Sequence, residues 1–138
     1  MGSNPTYETK LKMMKLFLDD ERQPQQCTLY MRGRIGDLVS IYNEDWVVVK
    51  SYEEFVKAVE ENYEQITHVS FDHDLGDIKY DPRTGKQSIE WHEKSGYDCA
   101  VWFKNFYKEK DLKWPVMFVH SGNGVGTDNI IFVFSKRD

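Results

Sequence analysis

The segment that most constrains this chain is residues 69–76, VSFDHDLG, in which a short apolar run ends in acidic and imidazole side chains. A short apolar run bounded by polar turn residues is typical of a buried strand in a parallel sheet. Open parallel sheets bind their ligands beyond the carboxyl ends of their strands. The segment therefore predicts a functional site around Asp72, His73 and Asp74.

Four strands of this kind are predicted, and helical segments separate them. The strands share apolar or β-branched side chains and cover residues 15–18, 46–50, 69–71 and 116–119. Apolar side chains recur at helical spacing over residues 52–63, after a capping-box pattern of Ser51 and Glu54, and over residues 96–110. Strands separated by helices pair in parallel through right-handed crossovers. The predicted fold is therefore α/β, a doubly wound parallel sheet of the flavodoxin type with these four strands as neighbours.

Three other segments have weaker patterns. Residues 77–94 contain a polar turn with Pro82 and Gly85 between two semi-apolar stretches, which predicts a β-hairpin insertion. Residues 25–45 are compatible with a hairpin or an irregular loop. Residues 129–138 suit either a short helix or an edge strand.

Length and charge limit the classes of protein that fit. A chain of 138 residues fits one domain, predicted over residues 15–138 after an N-terminal tail at residues 1–14. No apolar run approaches the roughly 20 residues that a membrane span needs, and the N-terminus lacks the apolar stretch of a signal peptide. The net charge of −5 argues against a protein that coats duplex DNA, but not against a small phosphorylated ligand. Two cysteines without metal-site spacing indicate free thiols and a cytoplasmic location.

The carboxyl ends of three predicted strands are expected to meet at one edge of the sheet. Their acids, Asp19, Asp20, Asp72 and Asp74, are the hard oxygen ligands that suit Mg²⁺ or another divalent cation. The competing interpretation is that these residues only cap turns, as aspartate often does after a strand. We favour the metal site, because turn chemistry alone does not require two separate strands to end in paired acids.

Other polar residues at the same edge suit phosphate chemistry. His73 and His120 are candidates for an acid/base pair, because imidazole titrates near neutrality. Asp72 is a third candidate catalytic residue. Arg22, Ser121 and Asn123 are candidates for binding phosphate oxygens. The alternatives are structural histidines, an ordinary strand-to-helix loop, and an arginine that only neutralises the acids.

Taken together, four motifs resemble the cyclic-phosphate processing receiver-like domain family, whose members are related to response-regulator receiver domains and are found in phages and bacteria. The motifs are LDDERQP at 18–24, FDHDLG at 71–76, GYD at 96–98 and HSGN at 120–123. The resemblance extends over residues 15–131. It implies a receiver-like fold and a role in processing cyclic phosphates at RNA ends or in related nucleotides.

The resemblance also assigns individual positions. The acidic pair of a receiver matches Asp19 and Asp20, its phosphoacceptor matches Asp72, and its hydroxyl residue matches Ser121. The two histidines of the motifs are present in the cyclic-phosphate family and absent from ordinary receivers. The chain departs from the family in the 77–94 insertion and in Gly124, where proline is expected. No strand with a terminal lysine follows the hydroxyl position, which argues against phosphorelay.

Three functions fit these observations. The first is a metal-assisted phosphoesterase, or a binding domain, acting on the cyclic phosphate of a small molecule or an RNA end. The second is a phosphate-sensing or protein-interaction module without turnover. The third is a receiver phosphorylated on Asp72. The sequence does not choose between a metal-activated water and a two-histidine mechanism.

Overall fold

The computed structural model describes residues 13–135, and its centre is a four-stranded parallel sheet. The strands of this sheet are β1 (Met14–Leu18), β2 (Val47–Val49), β3 (Ile66–Phe71) and β6 (Val116–Val119). They lie in the order β2-β1-β3-β6, and every neighbouring pair is parallel. The predicted flavodoxin-like α/β fold is therefore confirmed, including the four neighbouring parallel strands.

Three long helices cover one face of this sheet. They are α2 (Tyr52–Asn62), α3 (Gly96–Glu109) and α4 (Gly124–Ser135). Successive side chains of β1 alternate between the two faces, so Leu16 and Leu18 pack with Phe55 and Phe103 of the helices while Phe17 points to the opposite face. The helix α4 decides the alternative left open for residues 129–138: residues 129–135 are helical, and residues 136–138 lie outside the described part.

Short helical segments, and not a hairpin, cover the second face. These segments are a 3-10 helix at Pro24–Cys27, the single turn α1 (Arg32–Ile35) and a second 3-10 helix at Gly36–Asn43. The hairpin considered for residues 25–45 is therefore wrong. Met31, Val39 and Tyr42 are buried there against Phe17. With Cys27 and the partly buried Ile35, they lie three or four residues apart, a helical period that was not recognised from the sequence. Gly36 ends α1 and divides the segment into short helices.

An antiparallel hairpin is inserted in the chain between β3 and α3. It consists of β4 (Gly76–Tyr80) and β5 (Gln87–Trp91), and its register pairs Gly76 with Trp91. The insertion predicted over residues 77–94 is therefore present. All five residues of β5 are exposed, so the hairpin projects from the sheet instead of packing on it.

Of the N-terminal tail predicted at residues 1–14, residues 1–12 lie outside the described part, and β1 begins at Met14. None of the helices within residues 13–135 has the length and apolar character needed to cross a membrane.

Candidate functional site

The candidate site lies where β1, β3 and β6 end side by side. Asp72 follows β3, and its backbone N–H donates to the carbonyl of Leu18 at 3.0 Å. His120 follows β6, and its backbone N–H donates to the carbonyl of Phe71 at 3.0 Å. These bonds continue the sheet by one residue and bring Asp19, Asp72 and His120 together, with one side-chain ligand atom of each within 4.8 Å of the others.

Asp19 is a buried carboxylate, and both of its oxygens have hydrogen-bond partners. Its Oδ1 accepts hydrogen bonds from the backbone N–H groups of Glu21 and Arg22 at 2.8 and 2.9 Å. Its Oδ2 accepts from Arg22 Nη1 at 3.2 Å and lies 3.0 Å from His120 Nε2. Burial by itself would raise the pKa of Asp19, but the bonds from His120 and from the two backbone groups outweigh burial and lower that pKa below its ordinary value. Asp19 is therefore ionised at neutral pH.

His120 is completely buried, and both of its ring nitrogens have partners. The ring stacks on Phe17 with centroids 4.2 Å apart, and Nδ1 lies 2.7 Å from Ser70 Oγ, which in turn lies 2.7 Å from the Tyr42 hydroxyl. Burial lowers the pKa of His120, and the bond to Asp19 opposes this only in part. A neutral ring satisfies every group when Tyr42 donates to Ser70, Ser70 donates to Nδ1, and Nε2–H donates to Asp19.

The pKa of Asp72 is shifted in the opposite direction from that of Asp19. It is 5% exposed, and burial together with the negative charge of Asp19 raises its pKa from 3.8 to about 7. The backbone N–H of His73 donates to Asp72 Oδ1 at 2.9 Å, and Arg22 Nη1 lies 3.7 Å from the same oxygen. These contacts compensate for burial only in part, so the pKa of Asp72 stays well above its ordinary value.

A cavity of about 270 Å³ opens above these carboxylates. Apart from Trp91, the residues that line it are charged, polar or glycine: Asp19, Asp20, Glu21, Arg22, Asp72, Asp74, Ser121, Gly122 and Asn123. Neither histidine lines the cavity.

Apart from the two histidines, the predicted site residues are Asp19, Asp20, Arg22, Asp72, Asp74, Ser121 and Asn123, and all seven line the cavity. The sequence therefore indicated the residues that face this space, whereas it placed the histidines too close to it.

His73 lies beside the cavity and reaches it through a carboxylate. Its Nδ1 is 2.7 Å from Asp74 Oδ1, and its ring packs against Gly126 at the start of α4, where an added Cβ would come within 2.4 Å of His73 Cγ. Asp74 is the member of this pair that faces the cavity. The pair is an imidazole and a carboxylate in direct contact at the rim, an arrangement that can hold or pass a proton.

The loop after β6 is held by its own side chains. Ser121 Oγ accepts from the backbone N–H of Asn123 at 3.0 Å, and Asn123 Oδ1 caps α4 by accepting from the N–H of Gly126 at 2.9 Å. The side-chain amide of Asn123 also lies 3.4 Å from both oxygens of Asp74. The polar groups predicted to bind phosphate are therefore already ordered at the edge of the cavity.

Two contacts join neighbouring elements to the site. Asp20 Oδ2 accepts from the backbone N–H of Gly76 at 3.0 Å, which ties the start of the hairpin to the acidic pair. Gly96, in the GYD motif, begins α3 directly against β3: an added Cβ would lie 1.6 Å from the carbonyl oxygen of Asp72. Only glycine allows the helix to approach the end of this strand so closely.

Several residues of the site were missed from the sequence. Ser70 and Tyr42 extend the hydrogen-bonded chain behind His120, and Arg34 donates to the carbonyls of Val119 and Ser121 at 2.8 Å each. The one local signal was Ser70, a polar residue between the apolar Val69 and Phe71 near the end of β3. The other two come from the irregular segment, whose path over the sheet could not be derived from its pattern.

The acidic residues fit a divalent cation by their chemistry and spacing. Asp19 and Asp72 are buried, and their carboxylates come within 4.8 Å of each other together with His120. Carboxylate oxygens are the preferred ligands of Mg²⁺. In the neutral form described above, His120 Nε2 carries a proton toward Asp19, so the two carboxylates are the better ligands and the imidazole supports one of them.

The parallel sheet, its strand order and the acids at the ends of β1 and β3 define a receiver-like α/β domain. The model of the cyclic-phosphate processing receiver domain family matches residues 14–135, and the chain belongs to this family. The resemblance inferred from the four motifs is thereby confirmed. Neither the curated proteins nor the solved structures gave a significant match.

Proposed function

We propose that residues 15–138 act as one domain, a metal-assisted phosphoesterase that opens cyclic phosphates at RNA ends or in related nucleotides. The observation that carries the proposal is the charge of the cavity. Five carboxyl groups line it, and Arg22 is the one basic side chain among its lining residues. A phosphate would be repelled from such a cavity, and a divalent cation removes that repulsion.

The proposal assigns the cation, Mg²⁺ or another divalent ion, to Asp19, Asp20 and Asp72, with Asp74 at the rim. When bound, the cation would neutralise these acids and polarise a phosphoryl oxygen. The raised pKa of Asp72 supports this assignment, because a nearby positive charge would relieve the cost of ionising that carboxyl.

The phosphate is assigned to Arg22, Ser121 and Asn123. Arg22 is 35% exposed at its side chain, contacts Asp19 at 3.2 Å, and lines the cavity. A guanidinium and a hydroxyl both suit phosphate oxygens. These three side chains therefore orient the ester above the acids.

Opening a cyclic phosphate adds water across one P–O bond, so one proton leaves the water and one reaches the departing alkoxide. We propose that this transfer depends on Asp72, His73 and His120, which have different roles. Asp72 acts as a ligand of the cation. His73 exchanges a proton through its contact with Asp74. His120 is fully buried with both nitrogens bonded, so it acts as a positioning residue that holds Asp19.

The cellular setting is also part of the proposal. Cys27 and Cys99 are both buried, unpaired thiols, which supports a reducing compartment such as the cytoplasm. The family resemblance favours a phage or bacterial source.

Calorimetric titration with Mg²⁺, combined with hydrolysis of an RNA that ends in a 2′,3′-cyclic phosphate, tests the function. Wild type is expected to bind Mg²⁺ and to open the ring, and Asp72→Asn is expected to weaken binding by about tenfold or more because one charged ligand is lost. The matched control is Asp77→Asn: Asp77 lies on the hairpin, is 58% exposed at its side chain and does not line the cavity. No Mg²⁺ binding in wild type, or equal loss in both variants, would contradict the proposal.

The same samples test the phosphorylated receiver. After incubation with acetyl phosphate and Mg²⁺, intact mass is expected to show no phosphoryl adduct. A stable adduct in wild type that is missing from Asp72→Asn would favour a receiver over a phosphoesterase.

A further inference from the structure

Trp91 is the single aromatic residue among those that line the acidic cavity. It ends β5 and is 60% exposed. The rest of the lining is charged, polar or glycine. Holding and hydrolysing a phosphate requires charged and polar groups, so the function proposed above does not account for an exposed indole at this position.

The position of Trp91 is built into the hairpin. Its register partner is Gly76, and an added Cβ on Gly76 would lie 3.0 Å from Trp91 Cε3 and 2.9 Å from Ile89 Cγ2. The glycine therefore makes room for the indole beside β4. The N–H of Gly76 donates to Asp20 at 3.0 Å, and the N–H of His92 donates to the carbonyl of Leu75 at 2.8 Å. These bonds hold the base of the hairpin against the acidic pair.

We propose that Trp91 stacks on the nucleobase of the ligand whose phosphate lies above the acidic cluster. This inference rests on the proposed function and makes its ligand a nucleotide instead of a phosphate ester without a base. Every nucleobase has a flat π face, so stacking on an indole tolerates different bases. The shared chemistry is a nucleoside bearing a phosphate on its ribose, either free or at the 3′ end of an RNA.

Binding measured by tryptophan fluorescence in the presence of Mg²⁺ tests this inference. Trp46, Trp102 and Trp114 are partly buried, so Trp91 is the exposed indole of the chain's four. The probes are adenosine 2′-monophosphate and adenosine 3′-monophosphate, which contain no cyclic phosphate to open, and glycerol phosphate, which has no base. Quenching by the nucleotides and not by glycerol phosphate is expected. Replacing Trp91 removes the indole that reports binding. The affinities of variants are therefore measured by calorimetry.

Three variants separate stacking from a general effect on the hairpin. Trp91→Ala is expected to weaken nucleotide binding by about 5- to 150-fold, the range for loss of one stacked base, and to leave glycerol phosphate unchanged. Trp91→Phe is expected to restore most of the affinity. The matched control is Tyr80→Ala, because Tyr80 is 63% exposed on the same hairpin and does not line the cavity.

The outcomes distinguish this inference from the function on which it rests. If wild type binds neither nucleotides nor glycerol phosphate, both are overturned. If wild type binds them equally, or if Trp91→Ala weakens both alike, stacking is overturned and the proposed function stands. Tighter binding of a trinucleotide with a 3′-terminal phosphate than of the mononucleotide supports stacking at an RNA end, and equal binding supports stacking of a free nucleotide.

Discussion

Replacing Asp72 by asparagine is expected to stabilise the metal-free protein. The side chain is 5% exposed and lies near the charged Asp19, so its ionised form is unfavourable in the folded state. Asparagine has nearly the same shape, and its amide oxygen can still accept the hydrogen bond from the N–H of His73. The substitution therefore removes a buried charge without removing an acceptor.

The magnitude and the pH window follow from the pKa of Asp72. That pKa rises from 3.8 to about 7 on folding, and each pKa unit corresponds to about 1.4 kcal/mol. The folded state thus binds more protons than the unfolded state between about pH 4 and pH 7, so wild type loses stability as the pH rises through this window. The variant should equal wild type near pH 4 and exceed it by up to about 4 kcal/mol above pH 7.

Urea denaturation in the presence of a chelator, followed by circular dichroism from about pH 4 to pH 8, measures this difference. Asp77→Asn, the exposed hairpin variant, should track wild type at every pH within about 0.5 kcal/mol. Added Mg²⁺ should stabilise wild type more than Asp72→Asn. A variant that is less stable than wild type above pH 7, or a difference that does not change with pH, would refute the electrostatic argument.

Two further predictions concern the histidines and the glycines. In the ring-opening assay, His73→Ala should lower turnover about a hundredfold with the fold intact, whereas His120→Ala should lower turnover and also cost about 2–5 kcal/mol of stability because it leaves buried polar groups without a partner. His68→Ala, at the opposite edge of the sheet, should leave turnover unchanged, and equal rates in all three variants would contradict these roles. Gly96→Ala should cost about 3 kcal/mol or more in thermal or urea unfolding, because its Cβ would overlap a backbone carbonyl at the end of β3. Gly124→Ala meets no atom within 4 Å and should be tolerated; similar stabilities of the two glycine variants would refute the steric argument.

The sequence predicted the elements whose burial follows a regular period. Apolar runs identified the four parallel strands, and the Ser51 and Glu54 pattern marked the start of α2, where Ser51 Oγ accepts from the N–H of Glu54 at 3.1 Å. The segment over residues 25–45 was not predicted, although its buried residues, such as Val39 and Tyr42, are also three or four residues apart. It is divided into short helical pieces, with Gly36 ending one of them, so no single long period marks it.

The same distinction applies to the site. Acids that end strands are visible in the sequence, because the carboxyl ends of parallel strands share one edge. The environment of His120 depends on Ser70 and on Tyr42, which is separated from Ser70 by 28 residues. Trp91 reaches the cavity through the register of a hairpin and its tie to Asp20. These long-range contacts have no local signature, so the identity of the acids was predictable and their surroundings were not.

The pKa values of Asp19 and Asp72 are shifted in opposite directions, and this difference bears directly on the proposed chemistry. Asp19 is kept ionised by His120 and by two backbone N–H groups, so its charge is already compensated within the fold. Within residues 13–135, Asp72 accepts from one backbone N–H and lies farther from Arg22, so its pKa is raised toward neutrality. Pairs of acids whose environments separate their pKa values are typical of sites that give the two groups different roles. A cation at this edge would gain most from Asp72, since the fold compensates the charge of that carboxylate only in part.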